Sequence, residues 1–94
     1  MKVLWTARAL VQLEAIHTFI AAENRAAAIK VVTSIKETAA VLANFPSAGE
    51  RTNRGDVRTL LAWPYPYRIY YRVAGSPRQV RILRVRDARR RPSR

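Results

Sequence analysis

The chain has 94 residues, 49% of them apolar, no cysteine, one histidine and a formal net charge of +12. That length suits one domain with a thin core, and with no cysteine and only His17 the chain has no disulfide framework, Cys-based metal site or His-pair metal motif, and none for a cofactor. No apolar run approaches the roughly 18 residues of a membrane span, and Met1 to Trp5 leads into charged amphipathic sequence instead of a signal-peptide core, so the chain reads as soluble and cytoplasmic.

Met1 to Trp5 alternates apolar side chains around Lys2, which suits an edge or starter strand. Thr6 stands where a helix N-cap belongs. From Ala7 to about Glu23 the positions Leu10, Leu13, Ile16 or His17, and Ile20 repeat at helical spacing, with Arg8, Gln12, Glu14 and Glu23 on other faces. Asn24 ends this helix and caps a second one that begins at Arg25 or Ala26. Its stripe is Ala28, Val31, Val32, Ile35, Ala39 and Leu42, with Lys30, Lys36 and Glu37 turned away. Phe45-Pro46 stops it, because proline lacks an amide and disfavours helical geometry in the residue before it. A connection this short makes the pair an antiparallel hairpin.

Ser47 to Gly55, with two glycines and polar residues, reads as a loop. Beyond it the period becomes two, giving strands over Val57 to Trp63, Tyr67 to Val73 and Gln79 to Arg86, with Gly75-Ser76-Pro77 as the last turn. In the final strand Val80 and Ile82 share one face and Leu83 and Val85 the other, so either a bulge sits near Leu83 or both faces are partly covered. The expected fold class is α+β: an N-terminal strand, an antiparallel helix hairpin, then a three-stranded antiparallel sheet (β-α-α-β-β-β). It forms a single domain over 1–94, with 87–94 as a basic tail.

Charge is concentrated late. From Arg54 to Arg94 twelve arginines stand against Asp56 and Asp87, which is +10 of the +12. A single-sign field confined to one half marks a surface that meets an anionic partner, whether nucleic acid, a ribosome or an acidic protein. Tyr65, Tyr67, Tyr70 and Tyr71 interleave with Arg68 and Arg72, as on strands that stack bases, but aromatics on both faces also suit a thin sheet covered by helices on one side and a partner on the other. Trp5 and Trp63 read as core or rim aromatics. The run Arg89-Arg90-Arg91 reads, from its residues alone, as a solvated tail.

The segments WTARALVQLEAIHTFIAAENRAAAIKVV, LANFPSAGE, PYRIYYRV and RILRVRDARRRP, in this order, resemble the ParE branch of the ParE/RelE toxin superfamily of type II toxin-antitoxin modules. The resemblance spans almost the whole chain. It implies a RelE/ParE-like fold and a small antitoxin whose acidic and apolar C-terminal segment wraps the toxin in a hetero-oligomeric complex. Toxins of the ParE branch typically act on DNA gyrase, whereas RelE-type relatives cut mRNA in the ribosome.

Metal-independent RNA cleavage needs a group to take the 2′-hydroxyl proton, another to protonate the leaving oxygen, and cations around the phosphate. Arginine meets only the last need. His17 falls within the first helix as a packed or surface residue, and Asp87, where many relatives carry a histidine, sits among arginines as an ion-pair anchor. No catalytic residue is assigned. Three readings stay open: a gyrase inhibitor acting by binding, a ribosome-dependent mRNA endonuclease, and a nonspecific basic nucleic-acid-binding domain. The first is preferred. Target-binding candidates are Arg68, Arg72, Arg81, Arg84, Arg86, Asp87, Arg89, Arg90 and Arg91. Antitoxin-binding candidates, in an apolar groove rimmed by arginine, are Leu13, Ile20, Trp63 and Tyr70.

Overall fold

Thr6 and Asn24 start the two helices as expected: the Thr6 hydroxyl accepts from the Ala9 amide at 3.2 Å and the Asn24 side chain from the Ala27 amide at 2.9 Å, each satisfying a donor that the first helical turn leaves free. The computed structural model describes residues 1–89. Its elements run β1 (Val3–Trp5), α1 (Ala7–Ala21), α2 (Arg25–Val41), β2 (Glu50–Arg51), β3 (Arg58–Leu61), β4 (Tyr67–Ala74) and β5 (Gln79–Asp87). The α2 stripe lands as read, with Ala28, Val31, Ile35, Ala39 and Leu42 buried. In α1, Ala9 and Leu13 are buried while Leu10 is exposed, and Ile16 packs on the core while His17 faces solvent. α2 stops at Val41, ahead of Pro46. Its last turn tightens, with the amides of Leu42, Ala43 and Asn44 each donating three residues back, a common way to satisfy terminal carbonyls.

The strands form one sheet of order β1-β5-β4-β3-β2. Two features depart from the expected three-stranded antiparallel arrangement. β1 joins the sheet parallel to β5, pairing Val3 with Val80 and Trp5 with Ile82. Within the expected loop 47–55, Glu50 and Arg51 pair with Thr59 and Arg58 as the short edge strand β2, too brief to leave a periodic signal. β5 also continues through Asp87, one residue into the expected tail.

The phase slip in β5 is a bulge at Leu83. Tyr70 pairs with Arg84 but Tyr71 with Ile82, so Leu83 is the extra residue, and Val80, Ile82 and Val85 are all buried. Past the end of β1, the Gln12 side chain of α1 accepts from the Val85 amide at 2.9 Å and takes over the ladder bond that β1 no longer supplies. The helices lie over Tyr67, Ile69, Tyr71, Val80, Ile82 and Val85, which form one core with Leu13, Val31, Ile35 and Leu42.

Tyr71 is fully buried, and its hydroxyl donates to the Pro46 carbonyl at 2.7 Å and accepts from the Gly49 amide at 2.9 Å. This pins the connection after α2 to the sheet. A Cβ at Gly49 would lie 2.7 Å from the Tyr71 ring and hydroxyl and 2.9 Å from the Thr59 carbonyl oxygen. Neither neighbour is a flexible chain end, so Gly49→Ala is expected to cost about 1–3 kcal/mol as overpacking, lowering Tm by roughly 4–8 °C per kcal/mol in a domain of this size. A thermal melt matching the wild type would show that Tyr71 is not anchored here.

Candidate functional site

Alternation in β4 turns Tyr67, Ile69 and Tyr71 toward the helices and Arg68, Tyr70 and Arg72 toward the other side of the sheet. The bulge in β5 decides what faces them. With an uninterrupted period of two, Arg81 would share its face with Leu83 and Val85 while Arg84 and Arg86 pointed into the core. The extra residue at Leu83 reverses the phase, and three cross-strand pairs result on the outer face: Arg68 opposite Arg86, Tyr70 opposite Arg84, and Arg72 opposite Arg81.

Arg8 from the first turn of α1 and Arg54 from the loop after β2 close over this face. With Arg68, Tyr70, Arg84, Arg86 and the polar side chains of Gln12, Thr52, Asn53 and Thr59, they line a cleft of about 760 Å³. The Arg84 guanidinium sits over the Tyr70 ring, 4.7 Å from its centroid, a cation–π contact. Burial, and then the charges of Arg86 and Arg54, hold Arg84 below the usual arginine range. Charge compensation is slight: Asp56 Oδ1 lies 3.8 Å from Arg72 Nε, too long for a hydrogen bond. Three buried side-chain polar atoms among the described residues have no hydrogen-bond partner, Thr59 Oγ1, Arg72 Nε and Arg81 Nε, and the register puts all three residues on this face.

The structure thus brings Arg68, Arg72, Arg81, Arg84 and Arg86 together. Asp87 is elsewhere: it pairs with Tyr67 in register and lines a groove on the helix side of the sheet. Asp87 also accepts from the backbone and guanidinium of Arg89 at 2.8–3.1 Å, and this bond raises the Arg89 pKa. Arg90 and Arg91 lie outside the described residues. The four antitoxin-binding candidates do not form one surface. Leu13 is buried in the core, Ile20 packs against its rim, Tyr70 belongs to the arginine face, and Trp63 stands 78% exposed, neither core nor rim, in the connection before β4.

Sequence reasoning missed Arg8 and Arg54. Arg8 left one trace, a cation in a helix first turn where the macrodipole favours anions. That signal is weak, since Arg25 also stands in the first turn of α2. Arg54 left none.

The helix-side groove, about 420 Å³, runs between α1 and the end of the β4–β5 pair and is lined by Gln12, Ala15, Ile16, Phe19, Tyr67, Val85, Arg86 and Asp87. Phe19 is 72% exposed and Val11 67%. With Ala15 they form a stripe at i, i+4 and i+8 along α1 that nothing among the described residues covers. Among the described residues no three His, Cys, Asp or Glu side chains come together as metal ligands, and no helix is long and apolar enough to cross a membrane.

Comparison with known proteins shows a consistent likeness. The family model described as the ParE toxin of type II toxin-antitoxin system, parDE, matches residues 3–92. Toxin RelE2 of Caulobacter vibrioides is 38% identical over 89 residues, which are 95% of this chain and 97% of that protein. Among solved structures, the chromosomal ParDE TA system from P. aeruginosa superposes with a TM-score of 0.79 at 29% identity, covering 93% of this chain and 95% of the other. The YoeB/ParE toxin from Agrobacterium tumefaciens does so at 0.65 and 19%, over 93% and 98%, a likeness of fold alone.

Proposed function

The chain belongs to the ParE toxin family of type II toxin-antitoxin systems, and from that membership we propose that it acts in the cytoplasm by binding and inhibiting DNA gyrase, with the arginine face of its sheet turned toward the target. The observation that carries this reading is the chemistry of the face. The titratable groups lining its cleft are five arginines and Tyr70, and a tyrosine hydroxyl ordinarily keeps its proton at neutral pH. Arginine keeps its proton, so the face can hold an anionic surface but is poor at taking a proton from a 2′-hydroxyl. Neither other candidate base joins it: His17 is exposed on α1 beside Arg25 and Ile29, and Asp87 faces the helix side. Family membership implies an antitoxin partner. The uncovered stripe Val11, Ala15 and Phe19, with the groove beside it, suits the apolar residues of such a segment.

The test is a supercoiling assay with purified gyrase. Inhibition that rises with toxin and is reversed by the antitoxin is expected. Unimpaired supercoiling together with cleaved translated mRNA in primer extension would replace this reading with ribosome-dependent cleavage, the alternative that the RelE2 relative's name brings forward.

A further inference from the structure

The arginine face is built against its own stability. Like charges directly opposite each other across an antiparallel pair are destabilising, yet β4 and β5 place Arg68 against Arg86 and Arg72 against Arg81, with Arg84 between the two rows. Strand geometry spreads this band over about 13 Å along β4 and roughly 5 Å across. Arg81 also lies against the β4–β5 turn: at Gly75, whose φ is +94°, a Cβ would come within 3.1 Å of Arg81 Nη2. A largely uncompensated row of guanidiniums, with Asp56 3.8 Å from Arg72 Nε, is an arrangement for anionic oxygens.

The lining decides which polyanion. A protein partner is held mainly by aromatic or aliphatic anchors in desolvated pockets, and the aliphatic side chains lining this face are few: Val57, itself buried, and the half-buried Leu83 beside Arg72. A single strand of nucleic acid is held largely by bases stacked on exposed aromatic rings, and the ring available here, Tyr70, already carries the Arg84 guanidinium. No helix stands out from the outer face to enter a groove. What remains is the regularly charged backbone of a duplex, held without reading its sequence.

Resting on the gyrase reading, we propose that the outer face of β4 and β5, through Arg68, Arg72, Arg81, Arg84 and Arg86, binds the phosphate backbone of duplex DNA, so that the toxin engages gyrase on its DNA. The experiment measures full-length toxin, freed of antitoxin, against a labelled duplex of arbitrary sequence by fluorescence anisotropy, without gyrase. Five phosphate contacts predict a log–log salt slope near −4 to −5. Arg72→Gln with Arg81→Gln should flatten that slope by about two and weaken binding roughly tenfold or more. Arg25→Gln, off the face, should change the slope little. Because the double variant removes an opposed pair, its Tm should equal or exceed that of the wild type, which separates lost binding from lost folding. Tighter binding to single-stranded DNA or RNA, or a slope unchanged in the double variant, overturns the proposal. The two readings fail separately: gyrase inhibition without duplex binding sinks this inference alone, and duplex binding without gyrase inhibition sinks only the assignment of the target.

Discussion

Arg84→Glu combined with Arg86→Glu is expected to abolish growth inhibition while leaving the protein folded and able to bind its antitoxin. Both side chains project onto the outer face, and reversing them moves the local charge by four in a cleft that also contains Arg8, Arg54 and Arg68. Losing the contact between Arg84 and Tyr70 should cost only about 0.5–1 kcal/mol at a partly exposed site, and removing mutual repulsion offsets part of that. The apolar stripe on α1 lies on the helix side and is untouched, although Arg86 also borders the groove, so Arg84→Glu alone serves as the cleaner control. Cells expressing the variant without antitoxin should remain viable, and the variant should still be retained on immobilised antitoxin. Full toxicity would move the functional surface away from this face and toward residues 88–94.

Ile69→Ala is expected to lower stability by about 2–5 kcal/mol. Ile69 is completely buried at the centre of the sheet, paired with Leu60 on one side and Val85 on the other. A thin-cored domain has only about 5–15 kcal/mol in all, so the variant should unfold at markedly lower urea, with little change in the slope of the transition. Arg68→Ala, one residue away and on the opposite face, should shift the midpoint little. Comparable shifts from the two would mean that the alternation of β4 does not assign its faces as described.

The bulge at Leu83 links these two expectations. One inserted residue keeps Val80, Ile82 and Val85 in the core while Arg81, Arg84 and Arg86 all reach the outer face. The same device therefore serves folding and the arginine surface, and deleting it would set one against the other, because a strand of strict period two must either bury two arginines or expose its aliphatic residues.

Local patterns were enough wherever one element's own periodicity carried the information. The stripe from Ala28 to Leu42 told which side of α2 is buried, the caps Thr6 and Asn24 told where the helices begin, and the slipped phase in β5 offered a bulge as one of two explanations, because burying apolar side chains at a fixed geometric period is a property of a single segment. Tertiary structure alone decided what those segments lie beside. The parallel pairing of β1 with β5 joins residues almost 80 positions apart in the chain, and β2 is two polar residues long with no period to read. Arg8 and Arg54 reach the arginine face from a helix and a loop with no local pattern in common. Trp63 and Tyr70, both aromatic and seven residues apart, part company because one falls in an exposed connection and the other on a strand face beneath Arg84. Periodicity specifies the face a side chain takes on its own element, whereas the charges that share a cleft are set by long-range pairing, which no single segment encodes.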